Sequence, residues 1–198
     1  MNGKSAALEA IVFAQRGVLL AIPAVGLAVL GKPSAFSIAV GLPLVFVGEA
    51  IRAWAVGYSG ATTRSNAVEA PALVTAGPYA YVRNPLYVGN FVTAAGFALA
   101  FTGRNSSLAR AAIAGLSLGI MVGVYTVIVP HEEAFLRETF GAAFDDYAAR
   151  VPRVFPAAEP AAEQSGSYDP SVIAKAESRT FVTLGAMLAA LAVKALHA

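Results

Sequence analysis

The chain has 198 residues, 57% of them hydrophobic and only 13% charged, against about 25% charge in an ordinary soluble domain. Fourteen Lys and Arg stand against twelve Asp and Glu, and no basic cluster is present that could follow a phosphate backbone, which argues against a nucleic-acid binder. With no Cys and two His, disulfides and thiol chemistry are excluded and no metal centre is expected.

The apolar residues fall into long blocks rather than short core-facing stripes, which points to lipid; the length points to a single domain over residues 1–198. The first block, 12–30, is interrupted by Arg16 and shows no small-residue cleavage site, so it is expected to be a retained helix. Gly31-Lys32-Pro33-Ser34 is a tight turn signal, and a second span over 36–56 carries Glu49 and Arg52 near its end. Residues 57–84 are polar and turn-prone. A third span, 86–101, is short for about 30 Å of hydrocarbon and holds Asn90, so it is either tilted or marginally inserted; its Gly89 and Gly96 read as packing contacts. A short loop to Ser107 precedes a fourth span at 109–129. Residues 131–149 are charged and amphipathic, 154–170 form a Pro/Ala/Glu/Ser-rich loop, and 180–196 is a last apolar helix, either spanning or interfacial. The expected fold is all-α: a polytopic integral membrane protein of about five membrane helices, with a charged, amphipathic helix outside them.

Charge sets the expected orientation. With the N-terminus in the cytoplasm and every segment crossing, ten cations fall on or nearest the cytoplasmic side: Lys4, Arg16, Arg52, Arg64, Arg83, Arg137, Arg150, Arg153, Lys175 and Arg179. Lys32, Arg104, Arg110 and Lys194 fall on the other. Residues 57–84 and 131–156 then emerge on one face, where two distant polar segments can share a site.

The first of those segments is Gly77-Pro78-Tyr79-Ala80-Tyr81-Val82-Arg83-Asn84-Pro85-Leu86-Tyr87. Pro78 and Pro85 fix local φ and bias the residue before each toward extended geometry, which predicts a stiff, non-helical strap, with Pro85 opening the third helix. Arg83 and the tyrosines admit two readings. One is an interfacial arginine with an aromatic belt. The other is a carboxylate-binding fork beside flat surfaces for a planar ring, with Asn84 adding a donor and an acceptor. The second segment runs from His131 to Tyr147. Phe135 (or Leu136), Phe140, Phe144 and Tyr147 recur at helical spacing. Gly141, at about 1 kcal/mol relative to Ala in a helix, marks either a break or a close approach. Glu132 and Glu133 either favour a helix N-terminus or bind a cationic amine at the membrane face. Glu49 and Arg52, three apart on one face, form a structural pair or line a site from below. Arg64 reads as a surface residue and Arg153 as an outlying site candidate. No dinucleotide fingerprint, phosphate-binding loop or serine elbow is present.

Together the two segments resemble the isoprenylcysteine carboxyl methyltransferase and phospholipid methyltransferase group of integral membrane enzymes. That group shows Gly-Pro-Tyr…Val-Arg-His-Pro-x-Tyr-x-Gly, matched here by Gly77 to Gly89. It then shows Glu-Glu-x-x-Leu-x-x-x-Phe-Gly-x-x-Tyr-x-x-Tyr, matched by Glu132, Glu133, Leu136, Phe140, Gly141, Phe144 and Tyr147. The similarity covers about residues 45–156. It implies an S-adenosylmethionine site bound by Tyr79, Tyr81, Arg83, Asn84, Pro85, Tyr87, Glu132 and Glu133, with Arg83 and Glu133 carrying catalysis. Arg83 and Asn84 would face the cofactor's polar end, Tyr87 would contact it, and Glu132 or Glu133 would hold its amino group. Two positions depart from the pattern: the family histidine is Asn84, which cannot become cationic, and the first helix tyrosine is Phe144, which lacks the hydroxyl.

The expected reaction is methyl transfer to a lipophilic, membrane-embedded acceptor such as a prenylcysteine-like carboxylate, in a bacterial inner membrane with the site toward the cytoplasm. A carboxylate acceptor needs no general base, and no strong base stands out in the sequence. The alternatives are N-methylation of an ethanolamine phospholipid, an inactive relative that binds lipid or a partner, and a membrane transport or assembly protein using Glu49, Arg52 and Arg83 at mid-membrane.

Overall fold

The computed structural model describes residues 3–60 and 70–197, the side chains of 3–14 excepted. Arg64 and the remainder of 61–69 therefore lie outside the described residues, as does the side chain of Lys4. Seven α-helices are present among the described residues, and no strand: α1 (Gly3–Leu30), α2 (Ala35–Ser59), α3 (Pro85–Phe101), α4 (Ser107–Phe140), α5 (Ala142–Arg150), α6 (Ile173–Ala176) and α7 (Ser178–Leu196). Of these, α2, α4 and α7 are long and apolar enough to cross a membrane, while Gln15–Leu30 and α3 are shorter apolar helices. Outward-facing Val18, Val29, Phe36, Val47, Leu116 and Val182 are exposed, an apolar surface suited to lipid.

One end of the bundle is tied by its turns. The α1–α2 turn ends in a capping box: Ser37 N–H donates to Ser34 Oγ (3.1 Å) and Ser34 N–H to Ser37 Oγ (2.9 Å), satisfying donors that a helix start leaves open. Asn105, in the α3–α4 loop, accepts from Lys32 N–H at 2.8 Å and donates to the Leu30 carbonyl at 3.1 Å. Lys194 of α7 donates to the carbonyls of Val29 and Gly31 (3.0 and 2.9 Å). This hairpin end is sealed by a buried cluster that includes Leu27, Val45, Phe97, Phe101, Met187 and Leu191.

Helices α2 and α3 approach backbone to backbone because glycines face each other at their crossing. A Cβ on Gly96 would stand 2.6 Å from Val45 N and 2.8 Å from Gly41 O, and one on Gly89 would stand 2.8 Å from Gly48 O. Gly89 and Gly96 are thus packing positions, as small residues between apolar helices tend to be.

Two local expectations change. The stretch between Pro78 and Pro85 is not wholly non-helical: Gly77–Ala80 forms a 3-10 turn. Gly77 enters at φ 62, and Pro78 supplies the fixed φ that a first helical position accepts. The fourth span and the first half of the amphipathic segment form one helix, and the second half is a separate helix, α5. α4 passes through Pro130 and ends at Phe140, as apolar bundle helices tolerate an internal proline. At 34 residues it is about 50 Å long, and it carries Glu132 and Glu133 to the level of the strap. The break falls at Gly141 (φ 53, ψ −128), where a Cβ would meet nothing within 4 Å; the glycine answers backbone geometry, not close approach.

Candidate functional site

The strap from Ala76 to Asn84 is held from both sides. The segment after α5 crosses it, with Ala157 N–H donating to Tyr81 O and Ala161 N–H to Ala80 O (2.9 Å each). From α5, the Tyr147 hydroxyl donates to Tyr79 O at 2.8 Å, while Phe144, Tyr147 and Val151 form a buried cluster with Leu73 and Leu136 around them. Phe144 is fully buried, with the Arg137 guanidinium 5.2 Å from its ring centroid; an apolar ring suits that place. α5 carries the second half of the amphipathic pattern and lies against the strap.

Arg83 is fixed by the chain's own groups. Its Nε donates to Glu133 Oε1 (2.9 Å) and its Nη1 to the carbonyls of Ala148 (2.9 Å) and Val151 (2.5 Å), the open acceptors at the end of α5. The carboxylate that this fork grips is thus Glu133. Arg153 closes on the same carboxylate from the other side, Nε to Oε2 at 3.0 Å, and Asn84 Nδ2 donates to Arg153 O at 3.1 Å. The bond to Glu133 holds the Arg153 guanidinium above its usual range. Glu133 is buried while Arg153 is half exposed, so the knot has one inner and one outer cation.

Adjacent residues on a helix point about 100° apart, and this separates the two glutamates. Glu133 turns to the strap; Glu132 turns to the bundle interior, accepting from the Tyr87 hydroxyl at 2.7 Å. Tyr87 packs on Tyr125 with ring centroids 4.3 Å apart, and Tyr125 Oη accepts from Asn90 Nδ2 at 2.8 Å. Asn90 also accepts from Arg52. Arg52 lies 3.8 Å from Glu49, as their spacing suggested, and donates to Glu177 (2.7 Å) and Thr180 (3.2 Å) at the start of α7.

These groups wall one cavity of about 1270 Å³, bounded by α1, α2, α3, α4, α7 and the strap. Tyr79, Arg83, Asn84, Pro85, Tyr87, Glu132 and Glu133 line it. Tyr81 is not a wall residue and packs on Trp54, centroids 6.3 Å apart. Burial pushes the Tyr79 phenol up to about 12, against the lowering effect of its hydrogen bond with Ser59, so it stays a neutral donor at ordinary pH. Glu49 and Arg52 both pair and line the cavity. Arg16, seen in the sequence only as an interruption, is also on the wall. Tyr125 carried no signal within its apolar span, and Glu177 lies outside the motif-bearing region. Asn90 was visible as a polar residue in an apolar helix. No group of three or more acidic or His side chains suited to a metal occurs among the described residues.

The chain is 40% identical over 84 residues to the nickel-cobalt-cadmium resistance protein NccN of Alcaligenes xylosoxydans xylosoxydans, covering 42% of this chain and 36% of that one. It is 37% identical over 84 residues to the cobalt-zinc-cadmium resistance protein CzcN of Cupriavidus metallidurans, covering 42% and 35%. A probable protein-S-isoprenylcysteine O-methyltransferase of Oryza sativa subsp. indica is 30% identical over 116 residues, 57% of each chain. The chain thus spans about a third of the two resistance proteins and just over half of the rice protein. No solved structure matches. The phospholipid methyltransferase pattern matches residues 36–143, a stretch that holds the strap, α3 and both glutamates; the chain belongs to the phospholipid methyltransferase family.

Proposed function

We propose that the chain is an integral membrane methyltransferase that binds S-adenosylmethionine beneath the strap and α5 and methylates a lipophilic acceptor held between its helices. The observation that carries this reading is one continuous cavity, polar under the strap and apolar toward the hairpin end of α1 and α7. Its volume exceeds the roughly 300–1,000 Å³ of a one-ligand pocket, which suits a cofactor and an acceptor side by side.

The donor set fits the cofactor's chemistry. Glu132 offers a carboxylate for an ammonium, and Tyr79, Asn84 and Tyr87 offer aromatic faces and amide groups for a purine, while Arg83 and Glu133, engaged with each other, hold the cover over them. Pro85 fixes where α3 starts, and Tyr81 serves by anchoring the strap to Trp54. S-adenosylmethionine supplies a methyl group already activated on a sulfonium, so the protein's task is alignment and exclusion of water. The Arg83–Glu133–Arg153 knot does both by holding strap, α4 and α5 as one cover. The excess of cations on this side favours a cytoplasmic position for the cover.

A second reading, an amine acceptor, draws on Glu132. Its carboxylate stands on the cavity wall beside Tyr87, where it can take the proton that an ammonium must lose before methylation. Calorimetric titration of detergent-purified protein with S-adenosylmethionine, alongside Asn84→Ala and Glu132→Gln, tests the proposal. Saturable binding weakened in both variants supports it, and folded protein that binds no cofactor even with added lipid refutes it. If binding holds, transfer of labelled methyl to lipophilic carboxylates and to amines separates the two acceptors, and at saturating cofactor only the amine reaction should collapse in Glu132→Gln.

A further inference from the structure

The family match covers residues 36–143, yet α1 and α7, which wall much of the cavity, lie outside it. Toward the hairpin end the cavity runs past Ala24 of α1 and Ala190 of α7, small side chains that leave room where larger ones would fill it. That slot has a floor. Leu27, Phe97 and Met187 line the cavity and also belong, with Leu191, to the buried cluster that seals the hairpin end.

We infer that the slot is a length gauge for the acceptor. It takes one apolar chain whose polar head lies beside Tyr87 and Glu132, and the floor of Leu27, Phe97 and Met187 sets the longest chain admitted. This rests on the methyltransferase reading above. Tyr87 and Phe97 stand ten residues apart on α3, about 15 Å at roughly 1.5 Å per residue. Carbon–carbon bonds of about 1.5 Å at about 111° advance about 1.25 Å per atom, so the slot holds about twelve extended carbons. A chain lying along the outer, lipid-facing surface would meet no such limit.

The test measures dissociation constants for straight-chain alkyl carboxylates of graded length, by displacement of a fluorescent alkyl probe from protein in lipid nanodiscs. Affinity should climb roughly fourfold per methylene and stop climbing at about twelve carbons. Ala190→Leu should move that break to shorter chains and Met187→Ala to longer ones; Ala24→Leu repeats the shortening should Ala190→Leu misfold. Affinity that rises past the break, a break unmoved by the variants, or no chain binding at all overturns the gauge. S-adenosylmethionine binding is titrated in the same samples. Cofactor binding without a break overturns the gauge alone, whereas a break that moves without cofactor binding upholds it and overturns the methyltransferase reading.

Discussion

The knot around Glu133 yields a prediction in which two arginines on one carboxylate are unequal. Side-chain exposure is 4% for Glu133, 11% for Arg83 and 49% for Arg153. Arg83→Gln removes the inner cation and strands both the buried carboxylate and the carbonyls of Ala148 and Val151, a loss of about 3–5 kcal/mol by analogy with broken buried pairs. Arg153→Gln removes a half-solvated partner and should cost about 1 kcal/mol or less. At about 1.4 kcal/mol per tenfold, the two variants differ by a factor of ten or more in the folding equilibrium. The assay is unfolding in mixed micelles followed by the chain's only tryptophan, Trp54, whose contact with Tyr81 reports on the strap. A double-mutant cycle with Glu133→Gln should give a coupling of about 2 kcal/mol or more to Arg83 and under about 1 kcal/mol to Arg153. Equal couplings, or a larger one to Arg153, would refute the claim that burial ranks the two cations.

Gly141→Ala should cost about 1–3 kcal/mol and expose the α4–α5 junction to protease; Gly141→Asn should not rescue it, because ψ −128 lies outside the left-handed helical well that Asn tolerates. Gly96→Val should abolish the α2–α3 approach, since the atoms its side chain would strike include backbone of Val45 and Gly41, and should be read as loss of the folded monomer in size-exclusion chromatography. Arg52→Ala, which leaves Glu49 and Glu177 facing each other without their shared cation, should destabilise by about 3–5 kcal/mol, and Glu177→Gln by clearly less, in the same micelle assay. Tyr79 binds its proton more tightly when folded, so its contribution is intact below the ordinary tyrosine range near pH 10 and is lost as pH rises toward about 12; Tyr79→Phe should flatten that part of the stability profile.

The order of apolar blocks, the Gly31–Ser34 turn, Pro85 at the head of α3 and the packing role of Gly89 and Gly96 were legible in the chain, because each depends on local backbone preference or on hydropathy over one helix. So was the candidate strap, where two prolines and three tyrosines crowd into eleven residues. Continuity of α4 through Pro130 was not legible, because a proline locally reads as a helix boundary and only the assembled bundle decides whether the helix carries on. Nor was the division of labour between Glu132 and Glu133. The two are interchangeable as letters, and only the rotation of α4 against the strap turns one toward Arg83 and the other toward Tyr87. Arg16, Tyr125 and Glu177 come from three distant segments. Their place on one wall is set by how the helices cross, a property of long-range packing to which no local pattern in this chain corresponds.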